Sequence, residues 1–219
     1  MKAIRVREHV NPLGKKYQDP TPPPNWQEIY ADWSQPLNLD IGCGKGEYIL
    51  KMAELHPEWN WLGLEIREPL VERAIVIQNS LGLKNLHYLF CNVNVSLIHL
   101  LPPNSVHQVS IQFPDPWFKR RQQKRRTVQP QLVKDLAQVL IPNAQVLLQS
   151  DIQMVAKEML KYFEADGRYK NLAGVGQFAD STCYPEHVPT DREEWTIETG
   201  GSIYRAHLVF TRPKSIQNC

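Results

Sequence analysis

Asp115 stands between two prolines in the run Phe113-Pro-Asp-Pro-Trp-Phe118, and six of the eight residues from Lys119 to Arg126 are basic. Pro114 and Pro116 fix their own φ and push Phe113 and Asp115 toward extended conformations, so the carboxylate is held with little conformational freedom. A pre-set carboxylate suits chemistry. Lys119, Arg120, Arg121, Lys124, Arg125 and Arg126 supply phosphate-binding charge, the arginines as bidentate forks, and Trp117 offers a ring to stack on a base. No acidic residue interrupts Lys119–Arg126, so nothing local neutralises the patch. A solvated, charged helix start is the alternative reading. The stretch reads as an active-site loop facing nucleic acid.

A second constellation is Asp40-Ile-Gly42-Cys-Gly44-Lys-Gly46. It closes one apolar run and opens a helical pattern at Glu47, which is the strand-to-helix turn where α/β folds bind nucleotides. Glu65 ends the next apolar run about 25 residues on, where a carboxylate can hydrogen-bond a ribose diol. Dinucleotide loops run G-x-G-x-x-G and seat a pyrophosphate on the helix N-terminus. Here the glycines alternate as G-x-G-x-G behind an anion, Asp40, which would repel pyrophosphate and suit the ammonium and sulfonium of S-adenosylmethionine. S-adenosylmethionine is the favoured cofactor, with NAD, and a mere turn role for Asp40, as alternatives.

These loops need a scaffold, and the remaining pattern supplies one. Apolar runs of strand length fall at Leu37–Ile41, Trp61–Ile66, Leu86–Cys91, Val106–Gln112, Gln145–Gln149 and Ile203–Thr211. Helical stretches lie between them, the signature of an α/β fold with a parallel sheet and crossover helices. Pro69 marks the first turn of one helix and Gly82 its end. Apolar residues from Val128 to Leu140 predict another, stopped by Pro142-Asn143. Asp151 suits the cap of the amphipathic run Met154 to Phe163, and Thr190 with Glu193 fits a capping box. The segment 171–201 has no pattern that places a strand.

With 219 residues, 42% of them hydrophobic, the chain can bury one substantial core. We expect two parts. Residues 1–24 form a flexible arm mixing basic residues with Pro20, Pro22, Pro23 and Pro24, and residues 25–219 form a single domain. The formal net charge is only +2, so affinity for a polyanion must come from local charge. Cys43, Cys91, Cys183 and Cys219 are scattered, with no CxxC pair, so neither a zinc or other metal site nor a disulfide framework is indicated. With no apolar leader and no apolar run of about 18 residues, a cytoplasmic protein without membrane contact is expected. Monomer and homodimer are both compatible with the sequence.

Taken together, Asp40–Gly46, Glu65, the Phe113–Lys119 loop with its basic continuation, and Thr190-Asp191-Arg192-Glu193 resemble the bacterial tRNA (guanine-N7-)-methyltransferases. The resemblance implies a Rossmann-like class I methyltransferase fold: a mostly parallel twisted sheet with helices on both faces and an antiparallel last strand. It implies S-adenosylmethionine as methyl donor and N7 of a variable-loop guanosine in tRNA as acceptor. On the same resemblance, Asp40, Glu65, Asn92 and Asp115 contact the cofactor, beside Gly42, Gly44 and Gly46 of the glycine turn. Lys119, Asp151, Thr190 and Glu193 contact tRNA, Asp115 is catalytic, and Arg120, Arg121, Lys124, Arg125 and Arg126 complete the RNA-facing patch. The family often carries Glu where Asp40 stands, Asp where Asn92 stands and a polar residue where Phe118 stands; Asn94 is a second candidate for the adenine contact. A methyltransferase for a non-RNA substrate and a non-catalytic RNA-binding protein on the same frame are the competing readings.

Overall fold

In a computed structural model, residues 9–180 and 188–211 are described. The first eight residues of the expected arm, and Cys183 and Cys219, lie outside them.

Leu37–Ile41 (β1) and Asn60–Glu65 (β2) are buried at every position, as expected of central strands covered on both faces. Leu86–Phe90 (β3), Val106–Gln112 (β4) and Leu140–Ser150 (β5) join them in parallel. Tyr169–Asn171 (β6) and Tyr204–Phe210 (β7) complete a seven-stranded sheet of order β3-β2-β1-β4-β5-β7-β6, in which β7 runs antiparallel to both neighbours. The expected antiparallel last strand is therefore present. β6 was not legible in the sequence. It spans three residues, with exposed Lys170 between two buried positions, too short to show a period.

The helices are Trp26–Ile29 (α1), Glu47–Leu55 (α2), Glu68–Leu81 (α3), Val93–Leu100 (α4), Pro130–Val139 (α5), Gln153–Asp166 (α6) and Asp191–Glu198 (α7). α3 has Pro69 in its first turn and ends on Gly82 at φ 67°, as read from the sequence. Two buried clusters flank the sheet. One gathers α4, α5 and α6 on β1, β4 and β5; the other packs α2 and α3 on Trp61, Leu86 and Tyr88. β5 begins earlier than expected: Leu140 already pairs with Val106, and residues 141–144 bulge before Gln145 rejoins opposite Gln108. Asn143 takes φ 67° in that bulge. Pro142 and Asn143 thus interrupt a strand rather than end a helix.

The order of the strands reverses between β1 and β4, so the crevice for a ligand opens at the carboxyl ends of the parallel strands. Every chemistry-bearing loop leaves from that edge. Among the described residues, no helix is long and apolar enough to cross a membrane.

Candidate active site

The loop after β1 turns on three glycines in the left-handed region, Gly42 (φ 81°), Gly44 (φ 60°) and Gly46 (φ 78°). At Gly46 a side chain is excluded twice over, by that φ and because a Cβ would overlap the Tyr88 ring. Tyr88 Oη instead donates to the Gly46 carbonyl (2.7 Å), which anchors the start of α2. Asp40, at the end of β1, is 4% exposed. Its Oδ1 accepts from Ser110 Oγ (2.6 Å) and, at 3.5 Å, from Gln112 Nε2. Among the described residues no cation pairs with it. Burial first, and then nearby Glu65, pushes its pKa up to about 6, against the opposing Ser110 and Gln112 hydrogen bonds. A buried, uncompensated carboxylate beside a glycine turn fits a cationic, ammonium-bearing ligand.

That shift sets a sign for stability. Between the ordinary carboxylate pKa of about 4 and about 6, the folded protein binds more protons here than the unfolded chain does. Asp40 therefore makes stability fall as pH rises through that window and stay level above it. Calorimetric melts should show this slope in the wild type and lose it in Asp40→Asn; a slope retained by the variant would assign it to another group.

Glu65 ends β2 fully engaged. Its Oε2 accepts from Gly44 N (2.9 Å) and Arg67 Nη2 (3.0 Å), and its Oε1 from the Ile66 and Arg67 amides and Arg67 Nε. A ribose diol would compete with the Arg67 fork for those lone pairs. Arg67 was missed, although it stands only two residues beyond Glu65. After β3, Asn92 caps α4 by accepting from Asn94 N (3.2 Å), and its Nδ2 donates to the carbonyls of Pro12 (3.1 Å) and Tyr17 (3.0 Å). Thr21 holds the same segment to Ser96 and Phe90. Residues 9–24 thus pass over the end of β3, where Asn94 donates to the Thr127 carbonyl (3.0 Å).

The loop after β4 carries Asp115 between two strained residues. Phe113 (φ 47°), expected to be extended ahead of Pro114, and Trp117 (φ 42°) are instead non-glycine residues in the left-handed region, a conformation that persists only where the surroundings impose it. The Phe113 amide donates to the Gln149 carbonyl (2.8 Å). Arg126 Nε donates to the Pro116 carbonyl (2.7 Å), and its Nη1 pairs with Glu158 of α6. His9 Nδ1 lies 2.9 Å from Asp115 Oδ1, a contact no local sequence signal announces.

Two recesses meet at this loop. A cavity of about 100 Å³ is bounded by Glu65, Arg67, Asn92, Asn94 and Trp117. A larger one, about 480 Å³, is bounded by Asp40, Phe118, Asp151, Thr190 and Arg192. Gly42, Arg67, Phe113, Pro114 and Asp115 line both. Asp115 therefore stands on the wall between them.

The basic run divides. Lys119, Arg120, Arg121 and Lys124 are exposed around a short 3-10 helix, Arg120–Arg125. Arg125 folds back over the Trp117 ring, 5.0 Å from its centroid. Arg126 departs from the expected RNA-facing patch: it is 4% exposed, because Glu158 and the Pro116 carbonyl draw it inward. Trp117, expected to be free for stacking, is packed between Arg125 and His9.

Across the larger recess, Asp151 does not cap α6, whose N-cap is Ile152. Its Oδ2 accepts instead from Arg192 Nε (3.0 Å). Thr190 Oγ1 accepts from Glu193 N (3.1 Å), half of a capping box. Glu193, expected at the RNA surface, is 2% exposed and accepts from Gln149 Nε2 (3.0 Å) and Arg205 Nη2 (2.6 Å). Its carboxylate fastens α7 to β5 and β7. Among the described residues no group of three or more His, Cys, Asp or Glu is placed to hold a metal.

Residues 34–206 match the family model described as "Putative methyltransferase". The tRNA (guanine-N(7)-)-methyltransferase of Synechococcus sp. (strain JA-3-3Ab) is 51% identical over 204 residues, covering 93% of this chain and 85% of that protein. That of Trichormus variabilis (strain ATCC 29413 / PCC 7937) is 50% identical over 206 residues, covering 93% and 94%. Among solved structures, the 16S rRNA methyltransferase KamB superposes with a TM-score of 0.56 at 17% identity, over 85% of this chain and 91% of that one, which bears on fold alone. Identity near one half over 93% of this chain and 85–94% of those proteins places the chain in the family of tRNA (guanine-N7-)-methyltransferases.

Proposed function

We propose that the protein methylates N7 of a variable-loop guanosine in tRNA, with S-adenosylmethionine as donor, in the cytoplasm. The observation that carries this reading is Asp115 on the shared wall of two recesses, where one group can face donor and acceptor together. Bound there, S-adenosylmethionine supplies a sulfonium methyl. Asp40 and the Gly42–Gly46 turn hold its charged amino-acid end; Glu65, Asn92 and Asn94 border its adenosine. Lys119, Arg120, Arg121 and Lys124 bind phosphates, and Asp151 with Thr190 borders the base. Glu193 acts on the substrate side through the placement of α7. Residues 1–24 form an arm whose Val10 and Pro12 wall the smaller recess, against a methyltransferase domain of residues 25–219.

Guanine N7 has an in-plane lone pair and no proton, so the nucleophile needs no base. Alignment is the main task, and holding reactants at near-attack geometry contributes roughly 7–11 kcal/mol. Positive charge passes to the purine during transfer, and the fixed Asp115 carboxylate stabilises it as it moves, an electrostatic role.

The test is incubation with radiolabelled S-adenosylmethionine and unmodified tRNA transcripts, followed by borohydride and aniline treatment, which cleaves at N7-methylguanosine. Cleavage at one variable-loop guanosine is expected. Label without cleavage would move the target atom, and absence of label would overturn the reading.

A further inference from the structure

Trp117 and Phe118 are consecutive aromatics that the left-handed turn at Trp117 sends to different recesses. Trp117 lines the smaller one and Phe118 the larger, and neither lines both. Trp117 is packed against Arg125 and His9. Phe118 is 64% exposed, and among the described residues its ring meets no other aromatic ring or cation. Several large apolar side chains are exposed on this protein, among them Leu55, Val76, Val175 and Trp195. Of the described ones, Phe118 alone lines a recess that contains Asp115. It also immediately precedes the exposed basic ridge that begins at Lys119.

We infer that Phe118 is a substrate-positioning residue whose ring stacks on the purine presented to Asp115, a role that rests on the function proposed above. During transfer the N7–carbon bond forms as the carbon–sulfur bond breaks, the bonding pair stays on sulfur, and the purine becomes cationic. An aromatic face attracts a cation as well as a flat base. The contact therefore strengthens from ground state to transition state, and its loss lowers kcat as well as raising KM.

Base–aromatic stacking of this kind makes Phe118→Ala lower kcat/KM for tRNA about 10- to 100-fold. Phe118→Trp should stay within about 3-fold of wild type, while Phe118→Leu, apolar but without a π face, should fall with alanine. Equilibrium binding of tRNA, measured without cofactor, should weaken in the Ala and Leu variants; S-adenosylhomocysteine affinity, a check on the intact fold, should hold in all three. An active wild type matched by Phe118→Leu, or an alanine variant that loses cofactor affinity along with tRNA affinity, overturns the inference alone. A wild type that leaves guanine N7 unmethylated overturns the functional reading and this inference with it.

Discussion

Asp115→Asn is expected to turn over about 10²- to 10³-fold more slowly than wild type, the range found when one preorganised electrostatic group is removed, while binding S-adenosylmethionine with little change. The replacement keeps the shape of the side chain, and Pro114 and Pro116 still fix the backbone on either side. Only the charge goes. Because N7 carries no proton, the loss reflects unstabilised positive charge on the purine rather than a missing base. Single-turnover rates with saturating tRNA, beside cofactor titrations, separate the two effects. A variant keeping more than about a third of wild-type turnover would remove Asp115 from the chemistry.

Arg126→Ala is expected to lower stability by about 3 kcal/mol, since it leaves Glu158 without its partner in a largely buried site. For a protein of this size that corresponds to roughly 6–12 °C in Tm. The salt dependence of tRNA binding should not change. If Lys119, Arg120, Arg121 and Lys124 neutralise about four phosphates, log affinity falls against log salt with a slope of roughly −3 to −4. Arg120→Ala should reduce that slope by about one and leave Tm where it was. The opposite pattern, an Arg126→Ala protein of unchanged Tm with a shallower slope, would return Arg126 to the RNA surface.

The contrast between these neighbours shows what a linear reading can and cannot supply. The charge of each residue is visible in the sequence; the partner is not, because Glu158 lies 32 positions away and on another element. The same holds for Glu193, whose spacing from Thr190 suggests a local cap while its carboxylate is taken by Gln149 and Arg205, from two strands. The five parallel strands were legible because each repeats apolar residues over a segment of strand length between helical stretches, and the glycine turn because three alternate glycines have few other uses. β6 was not, being too short to repeat. Phe113 and Trp117 carry no sign of their left-handed backbone, since neither is a residue that favours it.

That backbone bears on how the protein fails. Phe113 is held by its amide hydrogen bond to β5, and the Pro116 carbonyl before Trp117 by Arg126, itself paired with Glu158 of α6, so the loop keeps its shape only while distant parts of the chain are docked. Each such residue stores on the order of 1–3 kcal/mol, released whenever those contacts slacken. The reactive loop therefore depends on docking that the strands beneath it do not need. On warming, catalytic competence is expected to be lost by local opening at temperatures where the strands beneath it are still paired.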